Sequence, residues 1–119
     1  MSVKAINPDC LFCKIIAGEI PSTMVYRDKE VVAFKDINPA APVHIMVVPV
    51  KHIVSLASMK DEDTAIVAKM IAVANRVAGE QGLAERGYRL IINSGPEAGQ
   101  VIQHLHMHLL GGRTLAWEQ

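Results

Sequence analysis

An excess of charge of one sign is what this chain most clearly lacks: twelve Lys and Arg balance twelve Asp and Glu over 119 residues. The balance removes the long-range field with which a nucleic-acid or anionic-membrane binder collects its partner, so neither partner is expected and a bound anion must be held by local donors. Aromatic residues are scarce, at 4 % of a chain that is 50 % hydrophobic, so the core is expected from Val, Ile, Leu, Met and Ala. No apolar run approaches the roughly 20 residues that span a bilayer, and Met1-Ser2-Val3-Lys4 leads into no hydrophobic segment; together these predict a cytoplasmic protein. Cysteine occurs twice, as Cys10 and Cys13. The pair is too close in sequence to staple a fold, which leaves burial or metal binding as thiols in a reducing compartment. A chain this short has room for one core, and a single domain over residues 1–119 is expected.

Residues 8–18 begin with Pro8 and Asp9, place apolar residues at helical spacing and stop at Gly18, which predicts a short helix capped by Asp9. Residues 24–28 and 31–36 are β-rich and separated by a short polar turn, as in an antiparallel hairpin. Residues 44–50 form a third strand, nearly all apolar and therefore central, with Pro49 near its end because it lacks a ladder donor. Ser58-Met59-Lys60-Asp61 resembles a capping box, and a long helix is predicted from there to Gln81, ending at Gly82. Its apolar residues cover two faces, Ile66, Met70, Val73 and Val77 on one and Val67, Ile71 and Ala74 on the other. One sheet cannot bury both, so the second is expected to pack on an identical helix in a two-fold homodimer; a helix sunk inside its own monomer is the alternative. Two further strands are predicted over 88–93 and 103–110. The order lacks the alternation of a parallel fold, so the class is α+β: an antiparallel five-stranded sheet with the helices on one side, extended across the homodimer.

Three of the five histidines fall in His104-Leu105-His106-Met107-His108. In a strand, residues two apart share a face, so the three imidazoles would point one way while Leu105, Met107 and Leu109 enter the core. An amphipathic strand with a histidine face by accident would read the same. Two chemical readings are sharper. His-x-His can supply two ligands to zinc, although Glu97 is the only acid near enough to act as the base such sites use. Alternatively, a neutral imidazole attacks phosphorus while its neighbours donate to the phosphate oxygens.

His104-Leu105-His106-Met107-His108-Leu109-Leu110 resembles the histidine-triad pattern. The likeness extends to Ile20-Pro21, to residues 33–44, to Gly99-Gln100, and to Gly111-Gly112-Arg113 followed by Trp117. The chain resembles the Hint branch of the histidine-triad (HIT) family, whose members are homodimeric purine nucleoside phosphoramidases. The resemblance implies that His106 attacks the α-phosphate of a purine nucleotide and becomes a nucleotidyl-phosphohistidine, that His108 binds phosphate oxygens, and that His44 and His104 support the pocket. It further implies that Asp36 accepts from the ribose hydroxyls and Asn93 binds ribose or phosphate. Leu11, Phe12, Ile15, Phe34 and Ile37 would line the purine pocket, although by residue type alone they are core. Gly99, Gln100 and Val101 would offer amides to the phosphate, their alternative being an ordinary loop. Trp117 would shape the leaving-group side, in the partner subunit. Where several relatives carry a hydroxyl residue after Gly-Gln, this chain has Val101, which removes a proton relay to the leaving group. The same resemblance completes the cysteine pair with His52 and His104 as a structural zinc site, with no cofactor required for catalysis. A dinucleoside polyphosphate hydrolase, or a nucleotide-binding regulatory module with little turnover, are the competing functions.

Overall fold

The computed structural model describes residues 6–117. Its centre is a five-stranded sheet, antiparallel throughout, built from β1 (Met24–Arg27), β2 (Val31–Lys35), β3 (Val43–Pro49), β4 (Tyr88–Ile91) and β5 (Met107–Gly111) in the order β1-β2-β3-β5-β4. The α+β class, the hairpin and the terminal place of Pro49 in a central strand are as expected. The two helices, however, lie on opposite faces of the sheet rather than on one. The strand alternation shows why: Val31, Ala33, Ile45 and Val47 pack under α2 (Thr64–Glu80), whereas Val32, Phe34, Met46 and Val48 pack under α1 (Leu11–Ile16). Burial on both faces is what makes β2 and β3 read as continuous apolar runs.

Local chemistry shifts several predicted boundaries. The N-cap of α1 is Cys10, whose Sγ accepts from the Cys13 amide at 3.4 Å, while Asp9 donates its own amide to the Asn7 side chain. Ser58 is likewise not the cap of the long helix; it exchanges hydrogen bonds with Ser55. A 3-10 turn at Asp61–Asp63 leads into α2 instead, and Asp63, buried and paired with Lys51 Nζ at 2.6 Å, accepts from the Lys60 amide at 3.1 Å. The predicted stop holds: Gly82 follows the helix with φ +75°. The second face of α2 is narrower than predicted. Ala74 is fully buried in the core of the single chain and Val67 packs against that core, which leaves Ile71 exposed.

Strand β5 begins at Met107, not Gln103. Ahead of it the Leu105 amide donates to the Ile53 carbonyl at 2.6 Å, so residues 103–106 run beside the loop after β3 instead of extending the ladder. Leu105, Met107 and Leu109 nevertheless alternate into the core under α2, and the histidines between them face α1. Among the described residues, no helix is long and apolar enough to cross a membrane.

Candidate active site and metal centre

His44, Met46 and Val48 share the face of β3 that lies under α1, and the register sets His108 of β5 opposite Met46. His44 and His108 are therefore diagonal neighbours, with His44 Nε2 2.9 Å from His108 Nδ1. The protons in this pair can be assigned from the bonds around it. The Ala40 amide donates to His44 Nδ1 at 3.0 Å, so that nitrogen carries the lone pair and the His44 proton sits on Nε2. His44 Nε2 then donates to His108 Nδ1, with Asp36 Oδ2 also 3.5 Å away, and the His108 proton is left on its own Nε2.

His106 is fixed by a different neighbour. Its Nδ1 lies 2.7 Å from the carbonyl oxygen of His104, which can only accept, so His106 carries its proton on Nδ1 and a lone pair on Nε2. Among the described residues no buried side-chain nitrogen or oxygen lacks a partner. The unbonded Nε2 atoms of His106 and His108 are accordingly those that reach the open cleft. Phe12 packs edge-on against His106 with ring centroids 5.1 Å apart, and His108 does so from the other side at 5.2 Å. Burial lowers the pKa of His106, opposed by its bond to the His104 carbonyl and by the Asp36 charge. Burial, with His106 and His44 beside it, pushes His108 down to about 4. Burial also lowers His44, against the pull of Asp36. All three rings are thereby held neutral at pH 7.

These two rings open on a cleft of about 360 Å³, the size of a small-ligand site. One wall is apolar and comes from α1 and β2: Leu11, Phe12, Ile15 and Phe34. Asp36 and Ile37 form the rim opposite Gly99 and Val101. Leu11 and Ile37 are exposed, Ile37 to 87 %, so they belong to the cleft and not to the core. Asp36 is also a turn residue, its Oδ1 accepting from the Asn38 amide at 2.8 Å. Sequence reasoning missed Ile20, Pro21, Ser22, Lys35, Asn38, Met46 and Ile102 as lining residues. Met46 was open to inference, since it stands two positions from His44 on the same face of β3.

Other predicted contacts lie elsewhere. Asn93 donates to the Ala98 carbonyl at 2.9 Å and braces the 3-10 turn Pro96–Ala98 without lining the cleft. Gln100 is buried behind the loop, donating to the carbonyls of Val54 and Ile102 and accepting from the Gly95 amide. The amides of Gly99 and Gln100 donate to the carbonyls of Pro96 and Gly95, both at 3.1 Å. Trp117 is 92 % exposed and away from the cleft, its carbonyl near Arg89. Glu97 is exposed and outside the cleft.

His104 faces away from the cleft. Its ring is fully buried, and its Nε2 donates to the Pro49 carbonyl at 2.8 Å, which turns the Nδ1 lone pair toward Cys10 Sγ at 3.3 Å and Cys13 Sγ at 3.5 Å. His52 Nδ1 is 3.2 Å from Cys13 Sγ. Cys10, Cys13, His52 and His104 thus present one ligand atom each, all within 4.8 Å of one another. With zinc–sulfur bonds of about 2.3 Å and zinc–nitrogen bonds of about 2.0 Å, separations of this order are the edges of a tetrahedral site, so the donor set fits a structural zinc. Burial pushes the Cys13 thiol up to about 11 and His104 down to about 4, which shows how poorly this pocket holds a charge without a cation in it.

A five-stranded antiparallel sheet thus carries a row of histidines beside an apolar cleft. Residues 17–115 match the HIT domain, and the chain belongs to that family. It is 47 % identical over 107 residues to the purine nucleoside phosphoramidase of Escherichia coli strain K12, with 90 % of each chain covered. It is 49 % identical over 109 residues to the 14 kDa zinc-binding protein of Zea mays, covering 90 % of this chain and 84 % of that one. A solved structure of a histidine triad protein from Clostridium difficile superposes with a TM-score of 0.91 at 48 % identity, over 95 % of this chain and 98 % of that one.

Proposed function

We infer that the chain cleaves the P–N bond of purine nucleoside 5'-phosphoramidates, or the mixed anhydride of aminoacyl adenylates, through a nucleotidyl-phosphohistidine on His106. The observation that carries this reading is the tautomer of His106: with Nδ1–H bound to the His104 carbonyl, the lone pair on Nε2 faces the cleft. A neutral ring suits an anionic phosphorus centre, which repels a carboxylate nucleophile. Attack forms the Nε2–P bond and breaks P–N, and the departing amine takes a proton from solvent, since Val101 offers no hydroxyl to relay one. As positive charge grows on the ring, its Nδ1–H bond to the His104 carbonyl becomes charge-assisted and strengthens. The His108 Nε2–H and the Val101 amide donate to the phosphoryl oxygens. Water then opens the phosphohistidine, releasing the nucleoside monophosphate and restoring the lone pair. The apolar wall of α1 and β2 takes the purine, and Asp36, which has lone pairs to spare beyond its turn, takes the ribose hydroxyls.

A zinc ion held by Cys10, Cys13, His52 and His104 would tie α1 to the loop after β3 and to the entry of β5, and catalysis needs no metal. A cytosolic, reducing setting keeps the two thiols available to it. The homodimer would join through the exposed flank of α2 around Ile71 and continue the sheet at the edge strand β4, carrying the exposed Trp117 toward the partner's cleft. The test is amine release from an adenosine 5'-phosphoramidate set against mononucleotide release from diadenosine polyphosphates, with wild type and His106→Ala. Faster turnover of the phosphoramidate, lost in the variant, is expected. Preference for the dinucleotide would move the chain to the polyphosphate-hydrolase reading, and tight binding without turnover would make it a regulatory module.

A further inference from the structure

Residues 37–42 connect Asp36 to β3, with Ile37 and Asn38 lining the cleft, and a hydrogen bond ties this segment to the residues after β5: Arg113 Nη2 donates to the Ala40 carbonyl at 2.9 Å. The approach is close on both sides, since a Cβ at Gly112, where φ is +94°, would come within 2.8 Å of Pro42. Arg113 therefore holds the one residue whose amide decides the histidine protons. The Ala40 amide donates to His44 Nδ1 at 3.0 Å, His44 Nε2 donates to His108 Nδ1 at 2.9 Å, and the His108 proton is thereby presented to the cleft on Nε2.

Without the Ala40 donor only the Asp36 carboxylate, 3.5 Å from His44 Nε2, still favours a proton there, and the relay can also run in reverse, with the His44 proton on Nδ1 and His108 donating Nδ1–H to His44 Nε2. His108 would then aim a lone pair at the phosphate, a repulsive contact in place of an attractive one. We propose that Arg113 is a positioning residue: by pinning Ala40 from 73 residues away it sets the direction of the His44–His108 proton relay and so makes His108 a donor. The activity arm of its test rests on the reading of His106 as nucleophile; the tautomer arm does not.

The experiment is nitrogen NMR of the imidazoles in wild type, Arg113→Ala and Arg113→Lys, alongside kcat and KM for an adenosine 5'-phosphoramidate. Arg113 is exposed, so both variants are expected to fold. In Arg113→Ala, His44 and His108 should lose their single Nε2–H signature and populate both tautomers, with kcat down about tenfold, the scale of one lost charged hydrogen bond, and KM changed by less than about twofold. Arg113→Lys, which keeps a donor for the carbonyl, should restore the signature and most of kcat. Wild-type imidazole spectra in Arg113→Ala, or a fall in kcat that leaves the tautomers untouched, would overturn the proposal. A wild type that does not turn over the phosphoramidate would sink the functional reading and leave the spectra to decide the relay.

Discussion

His104 and His106 stand two residues apart on the same side of the chain and do opposite things, and the difference lies in which ring nitrogen a backbone carbonyl takes. The Pro49 carbonyl takes Nε2 of His104, so its lone pair turns inward to two cysteines. The His104 carbonyl takes Nδ1 of His106, so its lone pair turns outward to the cleft. Two identical side chains are thereby aimed one at the thiols and the other at the cleft, and of the two only His106 also feels the Asp36 charge. A carbonyl acts here as an orienter of the imidazole, the role that a carboxylate plays in many metal and triad sites.

The sharpest way to break that comparison is to remove each ring in turn. His106→Ala should lose at least about 10⁴-fold in kcat while retaining nucleotide binding within about threefold, because the nucleophile is gone and the apolar wall is not. His104→Ala removes the ligand and keeps the carbonyl. It should lose metal yet keep kcat within about tenfold of wild type at a temperature where it is folded. Single-turnover kinetics and metal content on the two purified variants decide the matter. An inactive, well-folded His104→Ala would show that the ring, and not the carbonyl, governs His106.

A smaller effect is expected from emptying the metal centre with the residues left in place. Strong chelation, or Cys13→Ser, should lower Tm by about 5–10 °C, corresponding to roughly 2 kcal/mol, because α1 loses its tie to the loop after β3. Thermal melts with and without added zinc measure this. A Tm that ignores chelator and zinc alike would leave the four side chains as a buried thiol and imidazole cluster only.

How far the sequence discloses this division is uneven. The alternation of Leu105, Met107 and Leu109 put the histidines on the other face from α2, and that placement holds even though the strand starts only at Met107. The apolar run of β3 signalled a central strand, but a six-residue helix has too few turns to announce by period that it covers the second face of the sheet. The resemblance gave His104 a place in both sites, whereas its ring turns away from the cleft toward the two thiols. That the side-chain amides of Gln100 and Asn93 bond carbonyls of the loops around them was not legible, because a side-chain amide near a loop serves such carbonyls as readily as a substrate. The bond from Arg113 to Ala40 left no mark in the sequence, since nothing local encodes a contact across 73 residues.

The smallest effect tests the electrostatic side of the comparison. An ordinary imidazole with a pKa near 6.5 is about three-quarters protonated at pH 6, and a protonated His106 has no lone pair to attack with. Burial disfavours the charged ring, so the His106 pKa is lowered and the neutral form persists below that value. The midpoint of the acid limb should therefore lie below about pH 6.5, with activity falling as pH drops through the lowered pKa. Protonation of His108, pushed down to about 4, follows later and leaves this limb to His106. The profile of kcat/KM against pH reads it directly. Half-loss at or above pH 6.5 would mean that the ring is solvated and that Phe12 and the His104 carbonyl do not enclose it as the geometry implies.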